Sequence, residues 1–259
     1  MNVKYAIYPT LLDAFTSWQN SGEIWEKYWG HSECPPHTPE EFQALQRQSL
    51  IDKINRVPQE YSEAADRGTA FNLVIDWMVT GEKPAEIECS KAGGMITATY
   101  NGHDFVYPVD TAKAVAGHLA GSLAQQLAEG FIDTPYGGVR LYGYIDYITP
   151  LRVVDLKTTG SYSLGKYKGS WQRLVYPYCL QQQGCEVEGV EFYVVELGKA
   201  RKDGTVPAAI YSEFYNWRQQ ELTEQLRHGL TDFIEFLESV RDEITDFRIF
   251  NIRKDEQNT

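Results

Sequence analysis

The chain lacks most of the features that mark membrane, secreted or cluster-bearing proteins. No stretch of its 259 residues approaches the ~20 apolar residues of a membrane span, and the opening MNVKYAIYPTLLDAF has no basic, apolar and small-residue leader pattern. These absences point to a soluble, cytoplasmic protein with no membrane partner. The four cysteines, at 34, 89, 179 and 185, contain no C-x-x-C pair and share no repeated spacing with histidine, so neither a structural zinc site nor a disulfide framework is expected. Neither Gly-x-x-x-x-Gly-Lys-Ser/Thr nor Gly-x-Ser-x-Gly occurs, which argues against a nucleotide-driven motor and a serine-hydrolase elbow. The five histidines sit in a Pro-rich loop, a turn or on helices without an evident partner.

What is present suffices for a folded domain. With 42% hydrophobic and 13% aromatic residues the chain can bury a sizeable core, and it reads as one domain. Within it, 1–60 form a helical N-terminal cap, 61–252 the core and 253–259 a disordered tail. The formal net charge of −12 opposes nonspecific attraction to nucleic acid, so any such contact needs a local basic surface. One exists. Between Leu156 and Cys185 there is no Asp or Glu, while Lys157, Lys166, Lys168 and Arg173 fall inside; the acids gather elsewhere, as at Glu221, Glu224, Asp232, Glu235 and Glu238.

The spacing predicts helices over 10–19, from Thr38 to about Arg56, and over 60–80, with Gly68 either restarting the third or admitting a close neighbour. Strands are predicted at 86–89, 95–100 and 103–107, with Gly93-Gly94 and Asn101-Gly102 as hairpin turns. The spacing of Val115, Leu119, Leu123 and Leu127 predicts one helix over 108–129. Two strands at 139–148 and 151–157 follow, then a helix over 167–183 kinked at Pro177, strands at 187–197 and 206–214, and a long amphipathic helix over 216–239. This is an α/β pattern with a mixed central β-sheet flanked by helices.

The most informative stretch is Leu141-Tyr-Gly-Tyr-Ile-Asp-Tyr-Ile-Thr-Pro-Leu-Arg-Val-Val-Asp-Leu-Lys, in which two apolar runs each carry one aspartate. A hairpin loop at Thr149–Arg152 sets Ile148 opposite Val153, and the same register brings Asp146 opposite Asp155. Opposed Cβ atoms lie ~4.5–5.5 Å apart. Strand alternation puts Lys157 on the face of Asp155, so two carboxylates and an ammonium converge. Carboxylates that close repel unless one is protonated or a cation lies between them. A hard oxygen-seeking ion, Mg²⁺ or Mn²⁺, suits them and would offset charge developing on a phosphate, with Lys157 orienting or deprotonating water or stabilising the transition state. Gln172 and Tyr176, four apart, share a helix face near Arg173 and Tyr167. The aromatic and basic mixture of Tyr162, Lys166, Tyr167, Lys168, Trp171 and Arg173 suits single-stranded or frayed nucleic acid.

Gly143-Tyr-Ile-Asp146, Val153-Val-Asp155-Leu-Lys157-Thr and Gln172-Arg-Leu-Val-Tyr176 resemble, in order and spacing, the successive motifs of RecB-like PD-(D/E)xK nucleases. The resemblance implies a restriction-endonuclease-like core and a metal-dependent deoxyribonuclease of exonuclease type. It further implies a role in recombination or repair and a helicase or recombination protein as partner. It implies that Asp146, Asp155 and the Leu156 carbonyl bind metal, that Lys157 is catalytic, and that Gln172 and Tyr176 support the site and contact DNA. Upstream, Asp66-Arg67-Gly-Thr-Ala-Phe-Asn72-Leu-Val-Ile-Asp76 resembles the family's Arg-Gly-Thr-x-x-His-x-x-x-Glu helix, adding Arg67 as a DNA contact and Asn72 and Asp76 as metal ligands. Asn72 stands where many members have histidine, and Asp76 is shorter than the usual glutamate. That departure motivates an alternative, a catalytically weakened nucleic-acid-binding module of the same fold. The iron–sulfur cluster of some relatives is not expected, because four grouped cysteines are missing.

Overall fold

The computed structural model describes residues 2–58 and 61–251. Its central sheet has six strands: β1 (Val3–Ile7), β5 (Leu123–Thr134), β6 (Gly137–Thr149), β7 (Arg152–Thr159), β8 (Gly189–Leu197) and β9 (Ala208–Asn216). β6 pairs along one edge with β5, antiparallel. Its other edge is shared, with β1 parallel at Gly138–Leu141 and β7 antiparallel at Tyr147–Thr149. From β7 the sheet continues to β8, parallel, and then to β9, antiparallel. A smaller antiparallel meander comprises β2 (Glu88–Ala92), β3 (Met95–Tyr100) and β4 (His103–Pro108), turned at Gly93-Gly94 and Asn101-Gly102, all with positive φ.

Helices flank both faces of the central sheet. On one side α1 (Pro9–Gln19), α3 (Pro39–Ile54), α6 (Gln172–Gln182) and α7 (Gln219–Ser239) close a core around Leu12, Ile145, Val153, Phe192 and Phe233. On the other, α4 (Glu63–Thr80), α5 (Val109–His118) and the meander enclose Phe71, Tyr107, Tyr147, Leu156 and Val195. The fold is thus mixed α/β with a six-stranded mixed sheet between helices. The helix α2 (Ser21–Trp29) links α1 to α3, and α3 opens on a capping box between Thr38 and Glu41.

Four elements depart from the sequence reading, one of them α2, a helix where none was expected. Val3–Ile7, expected inside a helical cap, is a strand of the central sheet, so the N-terminus is built into the core. The helix predicted over 108–129 ends at His118, and Leu123–Thr134 is a strand. The cause is arithmetic: a spacing of four residues fits a helical turn and also two strand repeats. Leu123 and Leu127 are 61% and 47% exposed on the outer face of β5, while Ala128 and Ile132 are buried; Gly121, at φ 79°, separates the two elements. The helix predicted from Tyr167 begins only at Gln172 and runs on through Pro177. The expected start at Glu60 and the expected disordered tail at 253–259 lie outside the described residues.

Candidate active site

The site lies where β1 and β7 part company along β6. Between Leu141 and Tyr147 that edge of β6 carries neither partner, and Asp146 stands at its end. The alternation of β6 slips by one residue here: Ile145 faces the α6 side, whereas Tyr147 faces the α4 side. Opposite Asp146, Gln125 of β5 adopts φ 50° and drops out of the ladder. The ladder is interrupted at this level, as at a bulge.

The hairpin register is confirmed through Ile148–Val153 and Tyr147–Val154, but the ladder stops before Asp146 and Asp155. In place of a backbone carbonyl, the Asp146 carboxylate (Oδ2) accepts the Leu156 N–H at 2.9 Å. The strands therefore open beneath the two acids, and Asp146 becomes a wedge that occupies its neighbour's hydrogen-bonding slot. Burial, then the charge of Asp155, pushes its carboxyl up to about 7, with Lys157 and the Leu156 N–H pulling the other way.

Asp155 is 1% exposed, and its two oxygens have different fates. Oδ1 accepts from the Gln172 amide nitrogen at 2.6 Å. Oδ2 lies 2.8 Å from the Lys157 Nζ but makes no geometrically sound hydrogen bond. Lys157 instead donates to the Gln172 Oε1 at 2.9 Å. Gln172 thus uses one end of its amide for the carboxylate and the other for the ammonium, which neither Glu nor Lys could do there. Burial pulls the Lys157 ammonium down, but the charge and contact of Asp155, with help from Asp146 and Tyr176, outweigh it and hold it above its ordinary range. Tyr176, pushed up to about 12 chiefly by burial, donates to the Tyr144 carbonyl at 2.9 Å. Gly143 permits this approach, since a Cβ there would stand 3.0 Å from the Tyr176 ring.

α6 is presented to the site by a residue that the sequence reading did not single out. Asp13 of α1 accepts the Trp171 N–H at 2.8 Å, and its carboxyl is raised by burial while feeling both Lys157 and Asp155. No local pattern marks it, because its role arises only when α1 docks on α6.

α4 crosses the other face of the hairpin. A Cβ at Gly68 would lie 2.6 Å from the Thr158 Oγ1, so glycine here serves close approach and α4 continues through it. Two turns on, Asp76 accepts from Tyr147 at 2.5 Å and from Gln125 at 3.2 Å, with burial raising its carboxyl against those bonds. Asn72 lies one turn from each on the same helix face, and its Oδ1 is buried without a partner among the described residues. Among the described residues no three Asp, Glu, His or Cys side chains are gathered to hold a metal ion. The donor set nevertheless fits a hard cation. Two mutually repelling carboxylates and a second buried oxygen without a donor are the chemistry that Mg²⁺ or Mn²⁺ seeks.

The expected nucleic-acid contacts are scattered. Arg67 donates to the Leu197 and Gly198 carbonyls at 3.2 and 2.9 Å, tying α4 to the end of β8. The Trp171 ring packs over Gly229 of α7 and its indole N–H donates to Thr16 at 2.8 Å, an arrangement that favours packing over stacking on a base. Lys166 donates to Thr159 and to the Ser161 carbonyl, Lys168 is exposed, and Arg173 is half-buried. Glu213, 6% exposed, pins this acid-free segment to β9 by accepting from Tyr162, Tyr215 and the Gly165 N–H.

The profile of the PD-(D/E)XK nuclease superfamily matches residues 39–256. No curated protein matches the chain in sequence. Among solved structures it is similar to one described as "Crystal structure of SSO0001", with 10% identity and a TM-score of 0.37, over 89% of this chain and 77% of that one.

Proposed function

The chain belongs to the PD-(D/E)XK nuclease superfamily, and from that premise we propose that it hydrolyses DNA phosphodiester bonds at Asp146, Asp155 and Lys157 with Mg²⁺ or Mn²⁺. The observation that carries this reading is the closed arrangement of Asp155, Gln172 and Lys157 beside the Asp146 wedge. Asp146 and Asp155, with the Leu156 carbonyl, would hold the ion, and Asn72 and Asp76 would complete its surroundings. The ion supplies Lewis acidity to the phosphate and to water.

The chain's own residues do the rest. The charges of Asp155 and Asp146 hold the Lys157 ammonium above its ordinary range, which supports a role as a cation and hydrogen-bond donor toward charge developing on the phosphate. Gln172 fixes the Lys157 ammonium and Asp155 in one orientation, and Tyr176 fixes the strand edge at Tyr144. Lys166, Lys168 and Arg173 would form the strand-binding surface, while Arg67, bonded to the Leu197 and Gly198 carbonyls, and Trp171, packed on Gly229 and bonded to Thr16, would support it from within. The likeness of the three motifs to RecB-like exonucleases supports cutting from strand ends in recombination or repair, with a helicase or recombination protein delivering substrate, a warrant by analogy.

The test is cleavage of labelled single- and double-stranded DNA with each ion, alongside calorimetry of ion binding. Wild type should cut, and Asp155→Asn should lose at least ~100-fold in rate together with ion binding. A wild type that cuts neither substrate with either ion sinks the proposal. A second reading, a binding module with weakened catalysis, draws on Asn72 in the histidine position and on Asp76 being bonded to Tyr147 and Gln125. DNA binding with no ion site sensitive to Asp155→Asn would favour it.

A further inference from the structure

Where α6 and α7 begin lies a cavity that hydrolysis does not require. Its volume is roughly 490 Å³, and Lys168, Arg173, Phe214, Tyr215, Arg218 and Glu221 line it. Three of these are cations and one is an acid. Glu221 sits 3.4 Å from Arg218, so these two exposed groups partly offset each other and the cavity keeps a net excess of positive charge from Lys168 and Arg173. Arg173 is different. Its Nε is buried with no acceptor among the described residues, and burial lowers its guanidinium pKa against the weaker pull of Tyr215 and Glu221. A buried donor left unpaired costs stability unless something fills its place.

One wall is tied down by hydrogen bonds. Glu213 holds the loop before Lys168 and the Tyr215 hydroxyl, while Arg173 immediately follows Gln172, the residue that orients Asp155 and Lys157. Arg218 sits at the N-terminus of α7, where no side chain caps the first amides, so the helix end adds to the positive field without being the main argument. Planar guanidinium forks match tetrahedral oxyanions, and aromatic walls tolerate a sugar or base beside them.

We infer that this cavity is a phosphate-binding subsite, which holds a phosphate of the nucleic-acid strand at a distance from the bond that is cut. The inference rests on the nuclease reading for its substrate class and on the cavity's own chemistry for its anion. It makes Arg218 a binding residue, alongside Lys168 and Arg173.

The full chain in EDTA, where no cleavage intervenes, provides the test. Its affinity is measured for inorganic phosphate and for one oligonucleotide carrying a 5′-phosphate, a 3′-phosphate or neither, over a range of salt. Arg218→Gln combined with Lys168→Gln should weaken oligonucleotide binding about tenfold or more and flatten the salt dependence by about one and a half units of slope. Arg173→Lys, which keeps the charge and loses the fork, should weaken it less. If the loss is confined to one phosphorylated oligonucleotide, the source is a strand end; if all three weaken equally, it is an internal phosphate. Either result supports the subsite, and inorganic phosphate should compete in both. Equal affinity and salt slope for wild type and the double variant, both folded by circular dichroism, overturn it. A wild type that shows the subsite yet never cuts DNA leaves this inference standing and removes the nuclease reading. One that cuts without any change in the double variant does the reverse.

Discussion

Two sides of one hairpin handle buried oxygen atoms in opposite ways. On the α6 side Asp155 is neutralised from within, by Lys157 at 2.8 Å and by the Gln172 amide. On the α4 side Asn72 keeps a buried oxygen with no donor among the described residues, and Asp76 is bonded to the neutral Tyr147 and Gln125. The first side carries its own cation yet leaves the Asp155 Oδ2 without a hydrogen bond among the described residues, whereas the second has no charged partner of its own. The contrast separates a preorganised charge pair from a carboxylate and an amide held among neutral groups, and each substitution below should disturb one side more than the other.

The largest effect should come from Lys157→Ala. It leaves Asp155 buried and uncompensated, at a cost on the order of 3 kcal/mol read by urea unfolding, and lowers single-turnover cleavage by ~100-fold or more. Retained full activity would remove Lys157 from the mechanism. Gln172→Glu should follow, because a third carboxylate enters between Asp155 and Lys157. A loss of about 1–3 kcal/mol in EDTA is expected, reduced by Mn²⁺ in thermal melts; equal losses with and without the ion would argue against an ion beside Asp155.

A smaller effect concerns pH. The Asp146 carboxyl is raised to about 7 in the folded protein, above the ordinary carboxylate value it regains on unfolding. Its contribution is therefore fully favourable below about pH 4 and is lost as pH rises through about 7. Asp146→Asn should remove part of that loss, so that in EDTA the variant exceeds wild type at pH 8 by about 1–2 kcal/mol, and no longer does so near pH 5. A difference that does not vary with pH would show the carboxyl to be ordinary. The smallest change should be Asn72→Asp, a few-fold gain in ion affinity by calorimetry with a modest fall in EDTA melting temperature. Unchanged affinity would place Asn72 outside the ion's reach.

The hairpin was the most legible part of the molecule, for a local reason. Strand alternation and a short turn suffice to set Ile148 against Val153 and to put Lys157 beside Asp155, and both hold. Gln172 and Tyr176 were legible too, being four apart on a helix and within reach of one another at 3.5 Å. Asp13 was not, because its bond to Trp171 spans elements far apart in the chain. Nor was β5, since leucines spaced by four satisfy both repeats until exposure at Leu123 and Leu127 decides between them.

Short-range periodicity by itself thus determined the hairpin, the pairing of Lys157 with Asp155 and the partnership of Gln172 with Tyr176. Tertiary packing alone decided that β6 loses its ladder at Asp146, that α4 approaches through Gly68 to leave Asn72 without a donor, and that Arg173 meets Arg218 across a cavity. The physical reason is that alternation and helical turns reach only a few residues along the chain. Burial and charge compensation depend on which distant elements come to rest against them.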